Sequence, residues 1–256
     1  MVKKFEVEKD FHNARFDRWF KHKVLDIPQG LIEKIIRKNQ AKVNGKKTKS
    51  SYRVQEKDII EIFSIDKIKK TEKNLITQYI PSPTERDKYD DFIIENNENF
   101  IVINKPAGIA VQSGTKSFKN VVDTLRETRY FQDSKPYIVH RLDKETSGIL
   151  IVAKTREYAQ LFTSLFRIRK IHKIYLAVVY GEIPKDIKVL EDDLVLYEKE
   201  RKIVQKATSY IKILKGNSEY SLLELRPITG RKHQLRKQLY AVGSPIYGDQ
   251  KYKFSN

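Results

Sequence analysis

The apolar positions of this chain follow a helical period near its start and a strand period over most of the remainder. Phe16, Trp19, Phe20 and Val24 recur at helical spacing, and Leu31, Ile32, Ile35 and Ile36 repeat it behind Pro28 and Gly30. This predicts two short helices whose apolar stripes form a core rather than a platform for stacking bases. Asn44-Gly45 then lies between two short runs, the signal for a tight hairpin turn. Residues 58–62 read as the strand that closes this small sheet. Residues 66–90 read as a linker, with KIKKTEK, PSPTERDK and mixed charge. Beyond them, strands are expected at 92–94, 100–103, 149–153, 175–180, 208–214 and 220–225, and helices at 121–128 and 158–167. Several strands adjoin without a helix between them, so the larger part reads as a mostly antiparallel mixed sheet of the α+β class. The expected division is a module at 1–65, a linker at 66–90 and a second domain at 91–256.

Composition narrows the partners. The formal net charge is +18, from 51 Lys and Arg against 33 Asp and Glu, so polyanions are attracted and RNA is the expected partner. Distribution says more than the total, because Lys outnumbers Arg 36 to 15, as nucleotide bias alone produces. Residues 34–53 hold eight basic residues and no acid, and 226–237 hold five and no acid. Solvated faces usually mix signs, so these tracts favour a nucleic-acid surface. On the module the candidate contacts are Lys34, Arg37, Lys38, Lys42, Lys46 and Lys47. The chain has no cysteine, which removes disulfides, thiol catalysis and thiolate metal sites and fits a reducing cytoplasm. The five histidines are scattered without ligand spacing, and no metal site is expected. No apolar run approaches ~18 residues, and no membrane association is expected. A monomer is expected.

The candidate chemistry centres on HRLDKETSG, residues 140–148. Asp143 sits on a turn beside a strand-like run, with Arg141 and Lys144 on either side. Adjacent cations favour an ionised carboxylate. An isolated Arg-x-Asp is most often a structural pair in a loop, and the further stretches change the balance. NKPAG, residues 104–108, offers a lysine to support a turn and Gly108 for an unusual backbone angle. Tyr175 in HKIY follows Asp143 by 32 residues. TGRKHQLR, 229–236, and GSPIYGD, 243–249, follow in order.

These stretches, taken together, resemble the RluA family of RNA pseudouridine synthases. The order of helices and strands over residues 14–63 resembles the alpha-L RNA-binding domain, which often accompanies RNA-modifying enzymes. The resemblance implies that Asp143 is the essential catalytic residue, that Tyr175 lies against the target base, and that Arg236 pairs with Asp143. A flipped pyrimidine needs an aromatic face to replace its lost stacking, and a phenol hydroxyl could also shuttle a proton. A bidentate guanidinium at Arg236 would orient the carboxylate and keep it ionised. Arg141 is implied to hold the flipped-out state. His140, Lys105, Arg231 and His233 complete the candidates for RNA contact or base flipping. Lys105 also reads as a support for the turn beneath the active loop, and His233 as a hydrogen-bonding support rather than a metal ligand.

The implied reaction converts uridine to pseudouridine, with large-subunit ribosomal RNA as the expected substrate. No electrons are exchanged and the uracil leaving group spreads its own charge, so neither a redox cofactor nor a metal is required. One carboxylate suffices, where most glycoside hydrolases need two. It could attack the sugar, add to the uracil ring, or assist glycal formation by proton abstraction. Two alternatives stand beside this. One is a weak or inactive RNA-binding assembly factor; the other is a synthase acting on tRNA or small-subunit RNA. Small-subunit enzymes of this kind usually begin the aspartate motif Gly-Arg-Leu-Asp, so His140 counts against them. Lys232 and Lys237-Gln238 depart from the family pattern. The family also usually runs on by several tens of residues, whereas Asn256 follows Asp249 by seven. An exposed sheet edge and apolar surface around 247–254 are therefore expected.

Overall fold

The computed structural model describes residues 2–63, 79–113, 119–198 and 201–254, with the side chains of 196–198 and 201 outside the description. The chain divides into two compact units, Met1–Gln78 and Tyr79–Asn256. In the first, α1 (Phe16–Lys23) and α2 (Gln29–Arg37) bury the expected stripes. Phe16, Trp19, Phe20, Ile32, Ile35 and Ile36 all lie in one core, so they are packing residues and not stacking platforms. Burying one such side chain is worth about 1.5–3 kcal/mol, which is why this unit forms despite its size. The entry to α1 is pinned electrostatically. Arg15 donates to both oxygens of the buried Asp17, and Gln29 at the start of α2 reaches the same carboxylate.

The sheet of this unit runs β1–β4–β2–β3, with β1 (Val2–Glu6), β2 (Ala41–Val43), β3 (Lys46–Lys47) and β4 (Ile59–Phe63), all antiparallel. Asn44 and Gly45 take φ of 49° and 73°, as a primed hairpin turn requires. The Asn44 side chain donates to Asp58 and accepts from the Ile59 backbone, which hooks the hairpin onto β4. The strand at 58–62 does not close the sheet as expected. It is central, because β1 pairs on its other side.

The second unit has two antiparallel four-stranded sheets. One runs β5–β6–β8–β7, from β5 (Ile93–Asn96), β6 (Phe100–Lys105), β7 (Tyr137–Ile138) and β8 (Gly148–Ala153). Its core takes Ile101, Ile103, Leu150 and Val152, with Val121 and Leu125 from α4 (Val121–Arg126). The other sheet runs β10–β11–β12–β9, from β9 (Tyr175–Tyr180), β10 (Val189–Glu198), β11 (Arg201–Gly216) and β12 (Tyr220–Pro227). Tyr175 packs against the cores of both sheets and so stands at the seam between them.

The linker expected at 66–90 ends earlier than residue 90. Residues 66–78 lie outside the described residues. From Tyr79 the chain belongs to the second unit. There α3 (Pro83–Asp87) carries a capping box between Ser82 and Glu85, and Tyr89 is buried in the core. The helix expected at 158–167 is α5 (Arg156–Arg167), which starts two residues earlier because Thr155 caps it. No helix among the described residues is long and apolar enough to cross a membrane.

The last helix, α6 (Gln234–Ala241), positions the candidate site. It is docked by apolar and polar contacts together: Leu239 is buried in the core of the second sheet and Leu235 packs against that core. Gln234 accepts from the Thr229 hydroxyl and donates to Thr208 and Ser209 of β11. Gln238, fully buried, accepts from the Ser209 hydroxyl and donates to the carbonyls of Leu190 and Ala207. Every polar atom of that amide is satisfied, so burial carries no desolvation deficit. The helix is stopped just beyond Ala241 by Gly243, at φ 80°, where Gly243 and Ser244 donate back to Tyr240 and Leu239. That pair of bonds is a Schellman stop. The chain then returns along the outer side of β9: Tyr180 donates to Pro245, and Tyr247 to Val178. The rings of Tyr247, Tyr180 and Tyr220 pack together. The edge expected to be open is thus partly covered, although Ile174, Leu176 and Val178 stay exposed.

Candidate active site

Asp143 sits in the loop between β7 and β8, and a buried lysine fixes that loop from beneath. Lys105, at the end of β6 and 0% exposed, donates to the carbonyls of Pro106, Ile109 and Lys144 at 2.7, 2.9 and 3.2 Å. Three donors meet three acceptors. Gly108, at φ 84°, adds a backbone bond to the same Lys144 carbonyl. The NKPAG turn and the Asp143 loop are therefore tied at one point, next to the carboxylate. Burial pushes the Lys105 ammonium down, and the charges of Glu145 and Asp143 oppose that. Of the two roles expected of Lys105, RNA contact and support of the turn beneath the loop, its burial leaves the supporting one.

Opposite the loop stands the first turn of α6. Arg236 donates from Nη1 to Asp143 Oδ2 at 3.1 Å. Its remaining fork, Nε and Nη2, grips Asp249 at 2.6 and 2.8 Å. The bidentate partner is thus Asp249 and not Asp143, which corrects the expected geometry. The reason is local. Asp249 Oδ1 also accepts from the backbone of Lys251 and Tyr252, so its carboxylate is held facing the helix by bonds other than those of the arginine. Burial alone pushes the Asp249 carboxyl up, but the Arg236 and backbone hydrogen bonds prevail and bring it to about 2. The ring of Tyr252 lies 5.1 Å from the guanidinium.

His233 caps α6 at φ 54°. Its Nδ1 is 3.0 Å from the Tyr252 hydroxyl and its Nε2 is 3.8 Å from Asp143 Oδ1. Burial holds the imidazole below its ordinary range, against the pull of Asp143 and with the help of Arg236. A neutral ring at that distance is not an ion pair. His233 therefore borders the carboxylate from inside and is not an exposed RNA contact. Burial and then the Asp143 charge push the Tyr175 phenol up, so it stays protonated at neutral pH.

The remaining candidates separate. Arg141 is exposed at the lip of the loop and has no hydrogen-bond partner among the described residues. Arg231 donates to the Lys206 carbonyl of β11. His140, expected beside Arg141 in RNA contact, turns inward. Its Nε2 accepts from the Ile151 backbone at 2.9 Å, and its ring packs on Phe166 at 4.6 Å. Burial, reinforced by Lys173, holds its imidazole down at about 4. The unfolded chain protonates it near 6.5. Between these values the unfolded state binds more protons, so stability should fall as the pH drops from about 6.5 and level off below about 4. The full window is worth up to roughly 3 kcal/mol. Urea midpoints of the wild type should drop more steeply across it than those of His140→Gln. Parallel curves would mean that His140 titrates alike in both states.

On the first unit, Lys34, Arg37, Lys38, Lys46 and Lys47 are all exposed. Lys42 is half-buried, with its ammonium 5.2 Å from the Phe63 ring. Lys46 and Lys47 form the outer strand of their sheet. Sequence reasoning missed Asp249 and Tyr252 as parts of the site. GSPIYGD is visible as a motif in the sequence, yet only the fold shows that its aspartate faces the same arginine as Asp143. Among the described residues no cluster of His, Asp and Glu is arranged to hold a metal.

A single half-buried carboxylate, an arginine shared with a second carboxylate, and a neutral tyrosine at a seam between sheets suit chemistry that needs one charged group and an aromatic face. The sequence pattern of the family described as RNA pseudouridylate synthase matches residues 99–241, which contain the Asp143 loop, Tyr175 and all of α6. The chain belongs to that family. Among its relatives, the ribosomal large subunit pseudouridine synthase C of Rickettsia bellii (strain RML369-C) is 36% identical over 255 residues, covering 93% of this chain and 82% of the relative. That of Vibrio vulnificus (strain CMCP6) is 30% identical over 257 residues, covering 96% and 79%. The solved structure of human RNA pseudouridylate synthase domain containing 4 matches with a TM-score of 0.57 at 28% identity, over 68% of this chain and 73% of that one.

Proposed function

We propose that this pseudouridine synthase acts on large-subunit ribosomal RNA in the cytoplasm, with Asp143 as its catalytic carboxylate. The observation that carries the reading is Asp143 itself, presented on a loop braced by Lys105 and facing Arg236. The substrate follows the names of the relatives that align over nearly the whole chain.

The reaction breaks the N1–C1′ bond of uridine, turns the uracil and joins its C5 to C1′. The C5 hydrogen leaves as a proton, and N1, freed from the sugar, takes one up. No oxidant or reductant enters. The neutral Tyr175 offers the flipped base a ring and a hydroxyl. Arg141, exposed at the lip of the loop, is suited to the vacated stack or to a phosphate. Because C5 loses its hydrogen, tritium release from 5-tritiated uridine follows turnover directly. Large-subunit ribosomal RNA should release tritium, while small-subunit RNA and tRNA should not. Release from tRNA alone would overturn the substrate assignment, and no release from any RNA would favour an RNA-binding assembly factor.

The first unit is read as an alpha-L type RNA-binding module. Its exposed cations motivate a separate prediction. Replacing Lys34, Arg37, Lys38, Lys46 and Lys47 with glutamine should weaken RNA binding and flatten its salt dependence. Each lost phosphate contact lowers the log–log slope by ~0.7–0.9. The single-turnover rate at saturating RNA should hold. An unchanged slope in filter-binding titrations would mean that these residues only reflect lysine bias.

A further inference from the structure

We propose that Asp249 is a positioning residue for the isomerisation: it grips the Nε–Nη2 edge of Arg236 and so fixes the guanidinium with Nη1 towards Asp143. The inference rests on the reading of Asp143 as the catalytic carboxylate. Three observations carry it. Arg236 gives Nε and Nη2 to Asp249 and only Nη1 to Asp143. The Asp249 side chain is 4% exposed against 21% for Asp143, so the arginine's main partner is the one sealed from water. Asp249 is in turn fixed by the backbone N–H groups of Lys251 and Tyr252 on one oxygen.

The geometry has a chemical consequence. A guanidinium and a carboxylate meet most favourably through two parallel bonds. An arginine free to turn about its own side chain would take Asp143 in that way and stabilise its charge in the ground state. A carboxylate so paired is a poorer nucleophile and a poorer base. Asp249 holds the Nε–Nη2 edge and fixes the rotation of the guanidinium. Asp143 is then oriented by one bond, and two carboxylates share one positive charge. The second carboxylate thus keeps the first both placed and reactive.

The test uses the full chain and single-turnover tritium release at saturating large-subunit ribosomal RNA. Asp249→Asn is nearly isosteric and keeps an oxygen for the two backbone donors, but loses the charge that holds the fork. Its rate should fall about 10–100-fold, the scale of a misplaced catalytic group, with RNA affinity within about twofold. If Asp249 acts through Arg236, the double variant with Arg236→Ala should be no slower than Arg236→Ala alone. A merely structural role predicts losses that multiply and an RNA affinity that falls with them, and either result overturns the proposal. A wild-type rate in Asp249→Asn also overturns it. If that variant does not fold, Arg236→Lys carries the test, because one ammonium keeps a charge beside Asp143 but cannot reproduce the fork. A wild-type rate there would sink the proposal, and a loss at saturating RNA supports it. Asp143→Asn run in parallel separates the two failures. If it is inactive while Asp249→Asn is normal, only the positioning role is wrong. If it is active, the reading of Asp143 fails.

Discussion

Asp143→Asn is expected to abolish pseudouridine formation and leave the fold standing. Asparagine keeps the shape and one acceptor for the Arg236 Nη1 bond, but it is neither a nucleophile nor a base at neutral pH. The rate should fall by about a thousandfold or more, as when a nucleophile is removed from an otherwise intact site. Stability should change little, by about 1 kcal/mol at most, because Arg236 keeps its two bonds to Asp249. The measurements are tritium release and thermal unfolding of the same preparation. Wild-type-like release from a folded variant would remove Asp143 from the chemistry.

Arg236→Ala is expected to have the second large effect, and it acts on two quantities at once. It removes the group that orients Asp143, so the single-turnover rate at saturating RNA should fall at least about a hundredfold. It also strands Asp249, whose carboxylate is 4% exposed. Breaking a buried pair from one side costs about 3–5 kcal/mol. The lower end applies here, because the backbone of Lys251 and Tyr252 still donates to one oxygen. An exposed pair such as Lys4–Glu61 is worth no more than about 1 kcal/mol. The melting temperature should therefore drop by several degrees with Arg236→Ala and hardly at all with Lys4→Ala. If RNA affinity fell while the saturating rate held, Arg236 would be a phosphate contact.

Where the sequence period is regular, it leads to the right element. The stripe of Phe16, Trp19 and Phe20 is the core of the first unit, and the runs at 100–103 and 149–153 are neighbouring strands. The two largest omissions share a physical cause. In α6 the inward positions pair Gln234 and Gln238 with Leu235 and Leu239, so half of that face is held by hydrogen bonds and only a short apolar period is left to read. Gln238, which departs from the family pattern, is the helix's deepest polar anchor. In β10 the acids Glu191, Asp192 and Asp193 interrupt the apolar alternation, and its pairing with β11 carries the strand instead. The site was legible as far as its motifs reach. Asp143, Tyr175 and Arg236 are visible in sequence, but local spacing says nothing about which carboxylate takes the guanidinium fork. Lys105 stands among the candidates both as an RNA contact and as the support beneath the active loop, and only the second reading survives its burial; His140 stands among the RNA contacts. Burial turns both inward, one to bond carbonyls and the other to stay neutral.

The central claim is that this chain isomerises uridine in large-subunit ribosomal RNA through Asp143. Its most direct test is pseudouridine mapping along ribosomal RNA from a strain lacking the gene, complemented with the wild-type chain or with Asp143→Asn. The account predicts that one or more large-subunit pseudouridines vanish in the deletion, return with the wild type and stay absent with Asp143→Asn at equal protein level. A large-subunit map that is unchanged in the deletion, or fully restored by Asp143→Asn, would contradict it.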